Sequence, residues 1–181
     1  MFHLTMPSEG SPVAAIRRAA EVFLDHLQNI GAATAIEIST SSEGEDAIKW
    51  TDELDAKRVA QRLEMYSDTT CIKVRCDLHC VGDDDRELVI PNGMLFWSQL
   101  AELTSPPDER IEITISLNTD VYMATSWGDD RDNQALAVRN FPRFNAFLAN
   151  YLRDTNSTVD EFSADDYPGQ VDFMGIHLPA S

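Results

Sequence analysis

The densest set of chemically capable side chains is Cys71-x4-Cys76-x2-His79-Cys80, which has the makings of a metal centre or a reactive thiol. Their positions argue against a shared ion. In an extended segment successive side chains alternate between faces, so Cys76 and Cys80 point one way while Cys71 and His79 point the other. The paired Cys-x-x-Cys knuckles of structural zinc sites are missing as well. Inward-facing thiols behave as small hydrophobes and stay protonated and unreactive. The sequence therefore offers no metal site here. Its three cysteines, an odd number, exclude a complete intramolecular disulfide framework.

Asp129-Asp130-Arg131-Asp132-Asn133 opens like a calcium loop. With Asp130 in first place, the sixth position is Ala135 where such a loop needs glycine, and the twelfth is Phe141 rather than glutamate. A solvated acidic loop is the better reading. Neither Gly-x-Ser-x-Gly nor a phosphate-cradling Gly-x4-Gly-Lys or Gly-x-Gly-x2-Gly occurs, and His3, His26, His79 and His177 are scattered. No catalytic residue, metal or cofactor is assigned. A small enzyme with an unrecognised carboxylate or thiol site stays as an alternative.

What remains is acid beside aromatic. Trp127 adjoins Asp129, Asp130 and Asp132, while Phe162 and Tyr167 bracket Asp165 and Asp166. Interfaces use aromatic anchors for affinity and surrounding charge for orientation and encounter rate. These eight residues are the candidate binding set. The competing view is that Trp127 ends a strand in the core and that the tail rings staple an arm down.

Charge gives the same direction. The chain has 14 Lys and Arg against 31 Asp and Glu, a net charge of −17. That opposes nucleic acid, whose binding rests on clustered cations, and it disfavours anionic membrane surfaces. It favours a basic protein partner. No apolar run approaches the roughly 20 residues that span a bilayer. Met1 to Pro7 lacks the basic start and apolar stretch of an export signal, so a cytoplasmic protein is expected.

The elements that must hold these residues follow from periodicity. Ser11-Pro12 opens a helix whose apolar stripe runs from Val13 to Leu27, with Gly31 as its stop. Ala35–Thr40 and Ala47–Trp50 read as a hairpin across a polar turn, and Thr51 or Asp52 as the cap of a second helix. Cys71–Val81 alternates as the clearest strand, with Ile72, Val74, Cys76, Leu78 and Cys80 inward. Arg86–Ile90 pairs back, Pro91-Asn92-Gly93 interrupts, and Met94–Leu103 leans to a short helix. Ile111–Leu117 alternates again, and Val121–Trp127 is expected to return as a strand. Pro142 predicts a helix break near Asn140, followed by a helix with the stripe Phe144, Phe147, Leu148, Tyr151.

The predicted fold class is α+β: one domain, with a mainly antiparallel sheet of successive hairpins and helices on one face. Residues 1–153 would form the core, with a possible half-structure boundary near 105–108, and 154–181 an acidic C-terminal arm or tail. The expected function is a non-catalytic acidic binding module. Its sharpest form is a bacterial immunity protein that occludes a basic toxin, and the alternative is a secretion-type chaperone for a partner protein.

Overall fold

The computed structural model describes residues 1–8, 10–40, 47–52, 54–82, 84–100, 110–124, 126, 132–163 and 170–178. Its first half runs β1 (Phe2–Pro7), α1 (Pro12–Leu27), β2 (Gly31–Thr40), β3 (Ile48–Trp50), α2 (Ala56–Leu63) and β4 (Thr69–Val81). Its second half runs β5 (Glu87–Leu100), β6 (Arg110–Leu117), α3 (Gln134–Thr155), β7 (Thr158–Phe162), β8 (Val171–Asp172) and β9 (Gly175–Ile176). Seven strands form one antiparallel sheet in the order β3-β2-β4-β5-β6-β1-β7, with β8 and β9 as a separate ribbon. The three helices pack against the sheet, so the fold is α+β as the patterning predicts.

A period of two sorts the sheet residues. One cross-strand row, Ile36, Val74, Phe96, Ile115 and Phe2, faces the helices and is buried throughout. The adjoining row, Glu37, Lys73, Trp97, Thr114 and His3, faces away and stays half-exposed. Lys73 lies 4.3 Å above the Trp97 ring, and Glu37 pairs with both Lys49 and Arg75. Over the covered face α1 brings Ala15, Ala19 and Ala20, whose small side chains let it sit close. Phe23 then stacks on Phe96 and meets Phe147 and Tyr151 of α3 edge-on. The Tyr151 hydroxyl donates to the Ala19 carbonyl, satisfying the one polar atom that ring buries.

Several local expectations are corrected. Met94–Leu100 is strand, with Met94, Phe96 and Ser98 buried and Leu95, Trp97 and Gln99 on the other face. Apolar residues on both faces hid the alternation. Phe2–Pro7, read above only for export, is an interior strand between β6 and β7. Val121, Tyr122 and Met123 are all buried in succession and form a turn rather than a strand, closed by Met123 N–H donating to the Asp120 carbonyl. α3 runs unbroken through Pro142. Proline deprives the carbonyl four residues back of its donor, but that carbonyl belongs to Val138, which is exposed and open to water.

The ends of the first two helices also differ in detail. α1 is finished by a turn over 28–30, and Gly31 opens β2 instead. A Cβ at Gly31 would lie 2.3 Å from the Asp77 carbonyl oxygen, so the strand needs glycine for close approach. α2 is capped by Asp55, whose carboxylate accepts from the Arg58 N–H at 3.0 Å, while Asp52 pairs with Arg62.

Candidate functional site

Six of the eight candidate residues, Trp127, Asp129, Asp130, Asp165, Asp166 and Tyr167, lie outside the described residues, as do 41–46 and the 105–108 boundary. The other two can be placed. Asp132 is exposed and its carboxylate accepts from the Gln134 N–H at 2.9 Å, serving the first turn of α3. Phe162 ends β7 opposite Phe2 and is 41 % exposed.

A short ribbon connects their neighbourhoods. Asn156 ends α3 in the left-handed region at φ 53°, which turns the chain into β7 along the edge of the sheet. Downstream, β8 and β9 form a hairpin seated on α3. Asn145 holds it: the Asn145 amide donates to the Ile176 carbonyl and accepts from the Ile176 N–H, both at 2.8 Å. Gly175 beside it has φ 124°, and a Cβ there would stand 2.2 Å from the Asn145 oxygen, so only glycine fits. Val171 and Ile176 anchor the ribbon in the core.

Three further bonds link the ribbon to the start of α3 through the 120–124 turn. The Gln170 side chain accepts from the Ala124 N–H at 3.1 Å. Asn133, the residue after Asp132, donates to the carbonyls of Asp120 and Met123. On the other side, the Phe2 ring opposite Phe162 meets Phe144, the residue before Asn145, at 5.7 Å. The hairpin is thus linked through the 120–124 turn to the residue after Asp132, and through α3 to Phe2, the strand partner of Phe162.

At its tip are Phe173 and Met174, each 63 % exposed. The tip is held in shape by Asp172, whose carboxylate accepts from the Met174 N–H at 2.7 Å and bonds the His177 ring at 2.9 Å. Desolvation works to raise the Asp172 pKa, but the bonds from His177 and Met174 together outweigh it and hold the carboxyl below its ordinary value. Exposed Asp160 and Glu161 of β7 add negative charge on the sheet edge. Sequence reading missed this pair of anchors. The available signal was Val171-Asp172-Phe173-Met174-Gly175-Ile176, an Asp and a Gly flanking two residues between short apolar steps.

The 14 Lys and Arg leave a net charge of −17, and most of the arginines are held by bonds within the chain. Arg17 and Arg18 donate to the carbonyls of Tyr66 and Asp154. Arg143 bonds the carbonyls of His79 and Asn29, and Arg139 that of Gly82. Arg58, Arg62, Arg75, Arg86 and Arg153 pair with carboxylates.

The cysteines fall where alternation places them. Cys76 and Cys80 are buried on the helix face, and Cys71 is half-exposed on the other. Burial pushes the Cys76 thiol well up, so it is a protonated core group and no nucleophile. Tyr122 and Tyr151 are likewise raised by desolvation within the core. Among the described residues no cluster of His, Cys, Asp and Glu is arranged to hold a metal ion. Among the described residues no helix is long and apolar enough to cross a membrane. Comparison with protein-family models, curated proteins and solved structures returned no match.

Proposed function

We propose that this chain is a non-catalytic binding module for a basic protein, and in its sharpest form a bacterial immunity protein that occludes a toxin's cationic cleft from within the cytoplasm. The observation that carries the reading is the β8–β9 tip: two large apolar side chains held in solvent by a fixed turn, on a chain of net charge −17. Anchors that are already ordered lose little entropy on binding, and the surrounding carboxylates steer a cationic partner and set its orientation. Trp127, Asp129, Asp130, Asp132, Phe162, Asp165, Asp166 and Tyr167 are the residues that the sequence assigns to the same role. A secretion-type chaperone is the second reading, favoured by the open edge of β2 considered below.

The test is affinity capture from native lysate at low salt, followed by binding kinetics with the purified partner. One folded basic protein at one-to-one stoichiometry is expected, with an association rate that falls steeply as salt rises. Replacing Phe173 and Met174 together by Ala should speed dissociation by about tenfold or more, the scale of truncated anchor residues. Charge reversal at Asp129, Asp130, Asp165 and Asp166 should slow association instead. Unchanged kinetics in both variants would remove the proposed surface, and the occlusion form further requires that co-expression neutralise the partner's toxicity.

A further inference from the structure

The sheet has two edges, and they are built differently. β7 at one edge presents exposed Asp160 and Glu161, a common means of discouraging strand addition. At the other edge β3 pairs only with Ile36, Glu37 and Ile38 of β2. The preceding stretch, Gly31–Ala35, pairs with β4 on one side and has no strand on its other side among the described residues. That stretch reads Gly-Ala-Ala-Thr-Ala, so no charged, proline or bulky side chain shields it. At the rise of an antiparallel strand it offers roughly 17 Å of edge. Thr34 forms a bulge against β4, and its hydroxyl donates to the Arg75 carbonyl, which leaves Gly31–Ala33 as the straighter part.

A groove of about 510 Å³ runs beside this edge, between the end of α1 and the start of α2. Leu24, Leu27, Ala33, Leu54 and Ala56 supply its apolar lining, and Asp25 and Asp55 stand on its walls with Lys57 at α2. A guest strand along β2 would bond the main-chain groups that point away from β4 and drop alternate side chains into that groove. Charge decides which guest. Two copies at −17 repel, so a second copy of this chain is disfavoured, whereas a segment with alternating cations is attracted.

We propose that the Gly31–Ala35 edge of β2 and the adjoining groove bind an extended, cation-bearing segment of a partner protein by strand addition. The inference is independent of the occlusion reading, since it uses the opposite edge of the sheet; the chaperone reading would rest on it.

The probe is a fluorescein-labelled peptide of alternating valine and lysine, titrated into the full chain and followed by anisotropy and by amide NMR. Binding should shift the amides of 31–35 and protect those of Gly31 and Ala33, whose N–H groups point away from β4. The same peptide N-methylated at alternate amides keeps charge and composition but loses main-chain donors, so its affinity should fall about tenfold or more. Ala33→Pro, checked for folding by circular dichroism, should abolish the interaction, and Ala32→Lys should weaken it without demanding a backbone change. No binding, equal affinity for the methylated peptide, or shifts confined to residues away from 31–35 would each overturn the proposal. The Phe173→Ala/Met174→Ala chain should bind the peptide as tightly as the parent. Loss of a basic partner with peptide binding retained would therefore count against occlusion alone.

Discussion

Asn145 and Asp172 show how few side chains hold the proposed anchor in place. Asn145 makes both of its bonds to the backbone of Ile176, itself buried, so truncation leaves a buried N–H and C=O without partners. Asn145→Ala should lower the unfolding free energy by about 1–3 kcal/mol in denaturant titration, with faster amide exchange confined first to 171–177. Asp172 adds a pH dependence whose sign follows from its depressed pKa. Its stabilisation of the tip is complete above the ordinary carboxylate pKa and is lost as pH falls through the lower folded-state value. The Met174 amide resonance should therefore hold its position through neutral and mildly acidic solution and move only at strongly acid pH. A resonance that stays in place at strongly acid pH would contradict the assigned bond.

α3 is the element that organises the molecule. Its first half clamps the end of β4: Asn140 accepts from the Val81 N–H at 2.7 Å and donates to the Val81 carbonyl at 2.9 Å. Its middle carries the hairpin through Asn145, and its second half builds the ring cluster with α1. Pro142 interrupts the hydrogen-bond ladder of this helix on its solvent side. Pro142→Ala should restore one bond and raise the unfolding free energy by about 1 kcal/mol, well below the roughly 3 kcal/mol of an unaccommodated interior proline. A loss of stability would show that the proline ring contributes more to the fold than the missing bond costs. Sequence reading expected a break here because propensity weighs only the lost bond. It does not register that the orphaned carbonyl faces water or that Phe144, Phe147, Leu148 and Tyr151 are all buried against one sheet.

At the scale of the whole molecule, the net charge of −17 acts on folding and on binding with opposite dependence on salt. Self-repulsion among carboxylates opposes compaction, so moderate sodium chloride should raise Tm. The same screening should slow association with a basic partner. A Tm that falls with salt would mean that ion pairs such as Glu37 with Arg75 and Lys49 outweigh the repulsion. Charge was legible in the sequence. Which exposed apolar side chains accompany it was less so: Phe162 is half-open on the sheet edge, while the exposed pair Phe173 and Met174 depends on a hairpin docked onto a helix some thirty residues away in the chain.

Alternation is a local property, and it settled what local chemistry can settle. The inward set Ile72, Val74, Cys76, Leu78 and Cys80, the stripe of α1 and the antiparallel α+β class all follow from a period of two or 3.6. Tertiary structure decided the rest. Met94–Leu100 is apolar on both faces, and only its register between β4 and β6 makes it a strand. Phe2–Pro7 is too short to declare itself, and it is fixed by neighbours from residues 110–115 and 158–162. The anchor tip and the open β2 edge are likewise products of long-range packing. A strand's neighbour, and the lack of one, is chosen by chain segments far apart in sequence, which no local period can encode.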